Sequence, residues 1–142
     1  MLHSLDRFLE AQEHAYAIAL AELRRGRKRT HWMWYIFPQL RGLGQSRTSY
    51  FFGIEGIDEA RAYLAHPVLS VRLREVSEAL LRLDHADPEA IFGTIDAQKL
   101  CSSMTLFAYI SEEDSVFARV LARYYHGEWD TGTLAMLAES DV

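Results

Sequence analysis

The chain has 142 residues, of which 49% are hydrophobic and 25% charged, proportions that exclude a disordered or fibrous protein and predict one domain over residues 1–142. Fifteen Lys and Arg against twenty Asp and Glu give a formal charge of −5, which argues against wholesale coating of duplex nucleic acid or an anionic membrane. A single cysteine, Cys101, excludes an intrachain disulfide and a cysteine zinc site; with no apolar signal core and no run of about 20 apolar residues, a soluble cytoplasmic protein is expected.

In chain order, Leu5, Phe8, Leu9, Tyr16, Ala19, Leu20 and Leu23 recur at three- and four-residue steps and predict a helix over about residues 4–25. Ser4 is its expected cap, and Gly26 loosens its last turn. Gln12 falls inside the apolar stripe, where a buried amide needs a hydrogen-bond partner. Over residues 30–53 the helical period is lost. His31-Trp32-Met33-Trp34-Tyr35-Ile36-Phe37 runs into Pro38 and fits a short strand or a short buried helix equally well. Helical signals return over residues 58–65 and stop at His66-Pro67, where Pro67 suits the first turn of the next helix. Leu69, Leu73, Val76, Leu80 and Leu83 then form a seam for a neighbouring helix. Asp87-Pro88 opens a short turn ending at Gly93, and Thr94 or Asp96 opens a helix to about residue 110. Ser111 or Asp114 is expected to cap a helix over about residues 115–126 that Gly127 ends, and Asp130 starts a last one through Leu137. The expectation is an all-α bundle of six or seven helices with an irregular aromatic segment after the first.

Two constellations carry chemistry. Arg24, Arg25, Arg27, Lys28 and Arg29 hold five of the fifteen positive side chains, directly before Trp32, Trp34 and Tyr35. Cations beside stacking faces suit a phosphate-bearing base or single-stranded nucleic acid; a basic helix end leading into a core-forming aromatic run explains the same residues structurally. The second constellation surrounds Lys99, one of two lysines against thirteen arginines. At about 100° per residue, Leu100, Cys101, Met104, Phe107 and Ala108 gather on one arc, with Asp96, Lys99, Ser102, Ser103 and Thr105 spread around the other side. An ammonium with hydroxyls one turn away can hold a phosphate or carboxylate. Alternatively the polar side faces solvent, with its hydroxyls bonded back to the helix backbone.

His31, His66 and His126 each sit at an element boundary, without metal-ligand spacing. Capping or packing is expected of His66 and His126, whereas His31 is a candidate acid or base. Cys101 lies on the apolar arc and reads as an inert core thiol. No GxGxxG, Walker or GxSxG pattern is present, and Gly42-Leu43-Gly44 alone does not make a phosphate loop.

The chain resembles the bacterial and fungal family known as domain of unknown function 1810. The resemblance runs nearly end to end, through Arg7-Phe8, Ala21-Glu22-Leu23-Arg24, His31-Trp32-Met33-Trp34, Phe37-Pro38-Gln39-Leu40, His66-Pro67-Val68-Leu69, Ile91-Phe92-Gly93, Lys99-Leu100 and Ser102-Ser103-Met104-Thr105-Leu106-Phe107. It implies a mostly helical domain and no particular activity. Some members carry the label calpastatin, yet such inhibitors are disordered and rich in Pro and Lys, whereas this chain has three Pro, two Lys and a foldable core. Both constellations fall within the family's most distinctive words. The combined expectation is a polar pocket between the first helix, the aromatic segment and the Lys99 helix, binding a small anionic, nucleotide-like ligand. His31 and Lys99 are its candidate catalytic residues. Gln12, Arg27, Lys28, Trp32, Trp34, Gln39, Ser102, Ser103 and Thr105 are its candidate ligand contacts. The alternative is a non-enzymatic module that holds protein or single-stranded nucleic acid through the basic-aromatic segment.

Overall fold

A helix with an apolar stripe is stable in water only when the stripe is covered, and here the stripes are covered by one another and by a central helix that is apolar nearly all round. The computed structural model describes residues 5–140. These form α1 (Asp6–Arg24), α2 (Met33–Ile36), α3 (Arg47–Phe52), α4 (Ile57–Ala65), α5 (Leu69–Leu81), α6 (Pro88–Tyr109), α7 (Val116–Tyr125) and α8 (Thr131–Ser140). The architecture is all-α, with no strand among the described residues. There are eight helices instead of six or seven, because the aromatic segment contains α2 and α3. Four and six residues are too short to show a helical period.

α6 is the centre. Every residue from Leu100 to Ala108 is buried, with Phe107 against Tyr63 of α4 and Phe117 of α7, and Met104 beside Ser77 of α5. The alternative that Ser102, Ser103 and Thr105 face solvent is therefore excluded, since all three are buried. The helical wheel separates the polar arc correctly, but α8 and the aromatic segment cover that arc too. Thr105 Oγ1 accepts from the backbone N–H of Asp130 at 2.8 Å, and Ser102 Oγ donates to the carbonyl of Gln98 at 3.2 Å. Gly93 breaks α6 near its start, as its place in the sequence suggests, with φ 79° and ψ 169°, a conformation that only glycine adopts readily.

Caps follow simple chemistry. Asp87 caps α6, and the Asp130 carboxylate accepts from Thr133 N–H at the start of α8. The Nδ1 of His66 accepts from the N–H groups of Val68 and Leu69, opening α5. The cap of α7 is Ser115, which accepts from Ala118 N–H, and not Ser111 or Asp114. The latter two lie in the turn before it. Ser4, the expected cap of α1, lies outside the described residues.

Two buried acids tie distant segments together. Arg7 on α1 forms a forked pair with Glu59 on α4, at 2.8 and 3.1 Å, and also donates to the carbonyls of Phe51 and Gly53. Glu22 stands at the end of α1, where Gly26 (φ 79°) turns the chain back on itself. Its carboxylate accepts from Arg29 N–H at 2.7 Å, Thr30 N–H at 3.1 Å, Thr30 Oγ1 at 2.8 Å and Trp32 Nε1 at 2.9 Å. Burial alone would raise its pKa, but these four donors overcome that and hold it down at about 2, against an ordinary 4.5.

Glu22→Gln is expected to cost about 1–3 kcal/mol at neutral pH. Because the folded pKa is the lower one, the carboxylate's contribution is complete above pH 4.5 and disappears as pH falls towards 2. Urea denaturation at a series of pH values should show that acid-side loss in the wild type and a shallower one in Glu22→Gln. Glu59→Ala removes the forked carboxylate partner of the buried Arg7 guanidinium and should cost about 3–5 kcal/mol. Removal of Glu55, whose pairing with Arg41 is at the surface, should change the denaturation midpoint little.

Candidate functional site

The turn at Gly26 brings Lys28 to α6, where its N–H donates at 2.8 Å to the carbonyl of Ile91, just before the break at Gly93. Its ammonium then lies 3.0 Å from one oxygen of Asp96, while Lys99, one turn further along α6, lies 3.1 Å from the other. One carboxylate thus serves two ammoniums, and the trio keeps a net positive charge. Lys99 Nζ also sits 4.4 Å from the centre of the Trp34 ring, and Lys28 Nζ 5.1 Å from that of Trp32, attractive positions for a cation over an aromatic face.

Trp34 and Lys99 form a wall shared by two openings. On one side lies a groove of about 810 Å³ whose lining includes Gln39, Leu43, Gly44, Gln98, Ser102 and Asp130, a volume within the usual range for small-molecule sites. On the other lies a cleft of about 280 Å³ that includes Lys28, His31, Ser46, Thr48 and Asp96. Trp34 is seated by Gly44: a Cβ there would come within 2.7 Å of the indole and 2.6 Å of the Ser49 Cβ. The glycine is needed for this close approach and not for a phosphate loop.

Gln39 reaches the groove from the segment after Pro38. Its backbone carbonyl accepts from Ile54 N–H, in the bridge that pairs Leu40 with Ile54. Its side chain is only 4% exposed and lines the groove, yet the carboxamide has no hydrogen-bond partner among the described residues. Opposite, Asp130 accepts from Gln98 Nε2 at 2.7 Å and from the N–H and hydroxyl of Thr133 at 2.9 and 2.6 Å. Glu89 stands further along the rim.

The residues singled out from sequence divide accordingly. Lys28, His31, Trp32, Trp34 and Lys99 meet around the cleft, and Trp34, Gln39, Lys99 and Ser102 around the groove. Trp32 is 1% exposed, with its ring against Phe37 and Phe92 and its N–H spent on Glu22, so it offers no stacking face. Gln12 lies elsewhere, and its amide is fully used: it donates to the Tyr35 carbonyl and the Tyr63 hydroxyl and accepts from Arg72. Arg27 is exposed and lines neither opening. Ser103 and Thr105 are buried; the Ser103 hydroxyl has no hydrogen-bond partner among the described residues, and Thr105 holds the start of α8. Burial raises the Cys101 thiol to about 11, leaving it in its protonated, unreactive form. Sequence reasoning missed the roles of Glu22 and Asp130. An acid just before a glycine turn was the available signal for the first; nothing local marked the second as a wall of the groove.

Among the described residues no group of three or more His, Cys, Asp or Glu could hold a metal ion, and no helix is long and apolar enough to cross a membrane. The fold and its two openings define an all-α protein with an open groove, lined mainly by apolar surface with a few polar groups. The chain belongs to the family described as protein of unknown function (DUF1810), whose model matches residues 2–137. It is similar to the conserved hypothetical protein Rv1873 from Mycobacterium tuberculosis, known from a crystal structure. Identity is 48% over 94% of this chain and 96% of that one, with a TM-score of 0.92. No curated protein matches.

Gly44→Ala should displace Trp34 or Ser49, lowering stability by about 1–3 kcal/mol. Urea denaturation together with a changed tryptophan emission spectrum in the folded state would register both effects.

Proposed function

We propose that the protein binds a small anionic, nucleotide-like ligand at the wall made by Trp34 and Lys99. The observation that carries this reading is the ammonium of Lys99 placed over a partly buried indole at the boundary of two openings. Lys99 has three donor hydrogens, and Asp96 engages only one face of the ammonium. The indole supplies a flat apolar surface, and Gln39 and Ser102 supply polar groups within the groove. Any chemistry on a bound ligand would fall to the exposed His31 at the cleft, whose imidazole can give or take a proton, with Lys99 holding the ligand's charge. A surface module built on Arg24 to Arg29 and the tryptophans has less to rest on, because Trp32 is buried.

A thermal-shift screen against nucleotides, sugar phosphates and dinucleotides tests the proposal. A ligand at 100 times its dissociation constant adds about 2.7 kcal/mol of stability. That shift should vanish in Lys99→Ala, which retains the unliganded melting temperature to within a few degrees. A shift that survives the substitution would move binding elsewhere, and the absence of any shift would refute it.

A further inference from the structure

Resting on the ligand reading above, we propose that the cleft and the groove are two halves of one site for a nucleoside monophosphate, with the phosphate in the cleft and the heterocycle in the groove. The two openings share Trp34 and Lys99 but differ in charge. The charged side chains lining the cleft are Lys28, Lys99 and Asp96, with His31 beside them. It is therefore positive by one charge even with the imidazole neutral. The hydroxyls of Ser46 and Thr48 stand on the same opening; Ser46 Oγ accepts from Ser49 N–H and keeps its own proton to donate. This is the donor set that a compact oxyanion group recruits.

In the groove, the same Lys99 faces Glu89 and Asp130. A second anionic group placed there would meet two carboxylates. The part of a ligand that occupies the groove is thus uncharged, and a cleft of about 280 Å³ with one net positive charge matches a single phosphate better than a diphosphate or triphosphate tail.

Gln39 sharpens what that part is. Gln39 is only 4% exposed as a residue, but its carboxamide atoms are not sealed and open onto the groove, where they are available to a ligand. It presents one acceptor oxygen and one donor nitrogen side by side, and a nucleobase edge presents the complementary pair, as glutamine does with adenine. Pro38 and the bridge between Leu40 and Ile54 fix the backbone on either side, so the amide is held at a set depth beside the Trp34 wall. The hydroxyl of Ser102, already donating to Gln98, has lone pairs left to accept from an exocyclic amine.

Calorimetric titration of the whole chain with AMP, GMP, CMP and UMP, their nucleosides, ribose 5-phosphate and inorganic phosphate tests the arrangement. At least one monophosphate should bind at least tenfold more tightly than both its nucleoside and ribose 5-phosphate, and its triphosphate should bind no more tightly. Gln39→Met removes no hydrogen bond among the described residues and should leave the melting temperature unchanged. It should weaken that monophosphate about tenfold while leaving ribose 5-phosphate within threefold. Lys28→Met should weaken both. If ribose 5-phosphate binds as well as every nucleotide, or Gln39→Met has no selective effect, the bipartite site is overturned while the anion-binding reading stands. If nucleosides equal their monophosphates, the phosphate half is overturned. If no probe binds, both readings fall.

Discussion

The carboxylate of Glu22 is the interaction from which the rest of the site descends. It is a charge removed from water, and the cost of burying it is offset by four donors that all come from the ten residues following it. Meeting that demand forces residues 29–32 to curl back over the end of α1. The curl fixes the Trp32 indole in the core and sets where α2 begins. It also fixes Lys28 between α1 and α6, so the placement of both cations and of Trp34 depends on one buried acid. Arg7 and Glu59 do the same work at the other end of α1, holding α3 and α4 in place. Polar groups in this core thus act as fixed points, and the apolar residues fill the space between them.

Much of this architecture was legible from periodicity. α1 and α5 follow from apolar residues at three- and four-residue steps, and Gly93, Gly127, Asp87 and His66 mark ends that side-chain chemistry dictates. What was not legible depends on contacts between residues far apart in the chain. A helical wheel orders the side chains of α6 around an axis, but it does not say that α8 and the aromatic segment lie over the polar arc. Of the three hydroxyls read as ligand contacts, only Ser102 lines the groove, while Ser103 and Thr105 are core. The two glutamines make the same point from opposite sides. Gln12 stood out as an amide needing partners and finds three, whereas Gln39, read as a ligand contact, lines the groove. Composition could not distinguish them, because the difference lies in which neighbours the fold delivers.

The site itself is economical in charge. Asp96 neutralises half of what Lys28 and Lys99 bring, so the two ammoniums can be held close together without strong repulsion. What remains positive is concentrated on one side of the Trp34 wall, while the acids lie on the other. The chain as a whole carries −5, and against that background a local positive cleft stands out electrostatically. Membership of a family without an assigned activity, and close likeness to the mycobacterial protein, leave this local arrangement as the most direct guide to function.

The central helix also bears on how the chain reaches its fold. α6 packs most extensively on α7, its neighbour along the chain, so the largest contact surface forms by closing a loop of only a few residues, a cheap step in chain entropy. α1 is different: it meets α5 across more than forty residues, and its ends are secured only when the buried acids find their donors. Until those later pieces dock, the stretch from Leu100 to Ala108 leaves its apolar arc of Leu100, Met104, Phe107 and Ala108 uncovered. A variant that loosens the outer helices thus exposes that arc, and self-association would be its first symptom.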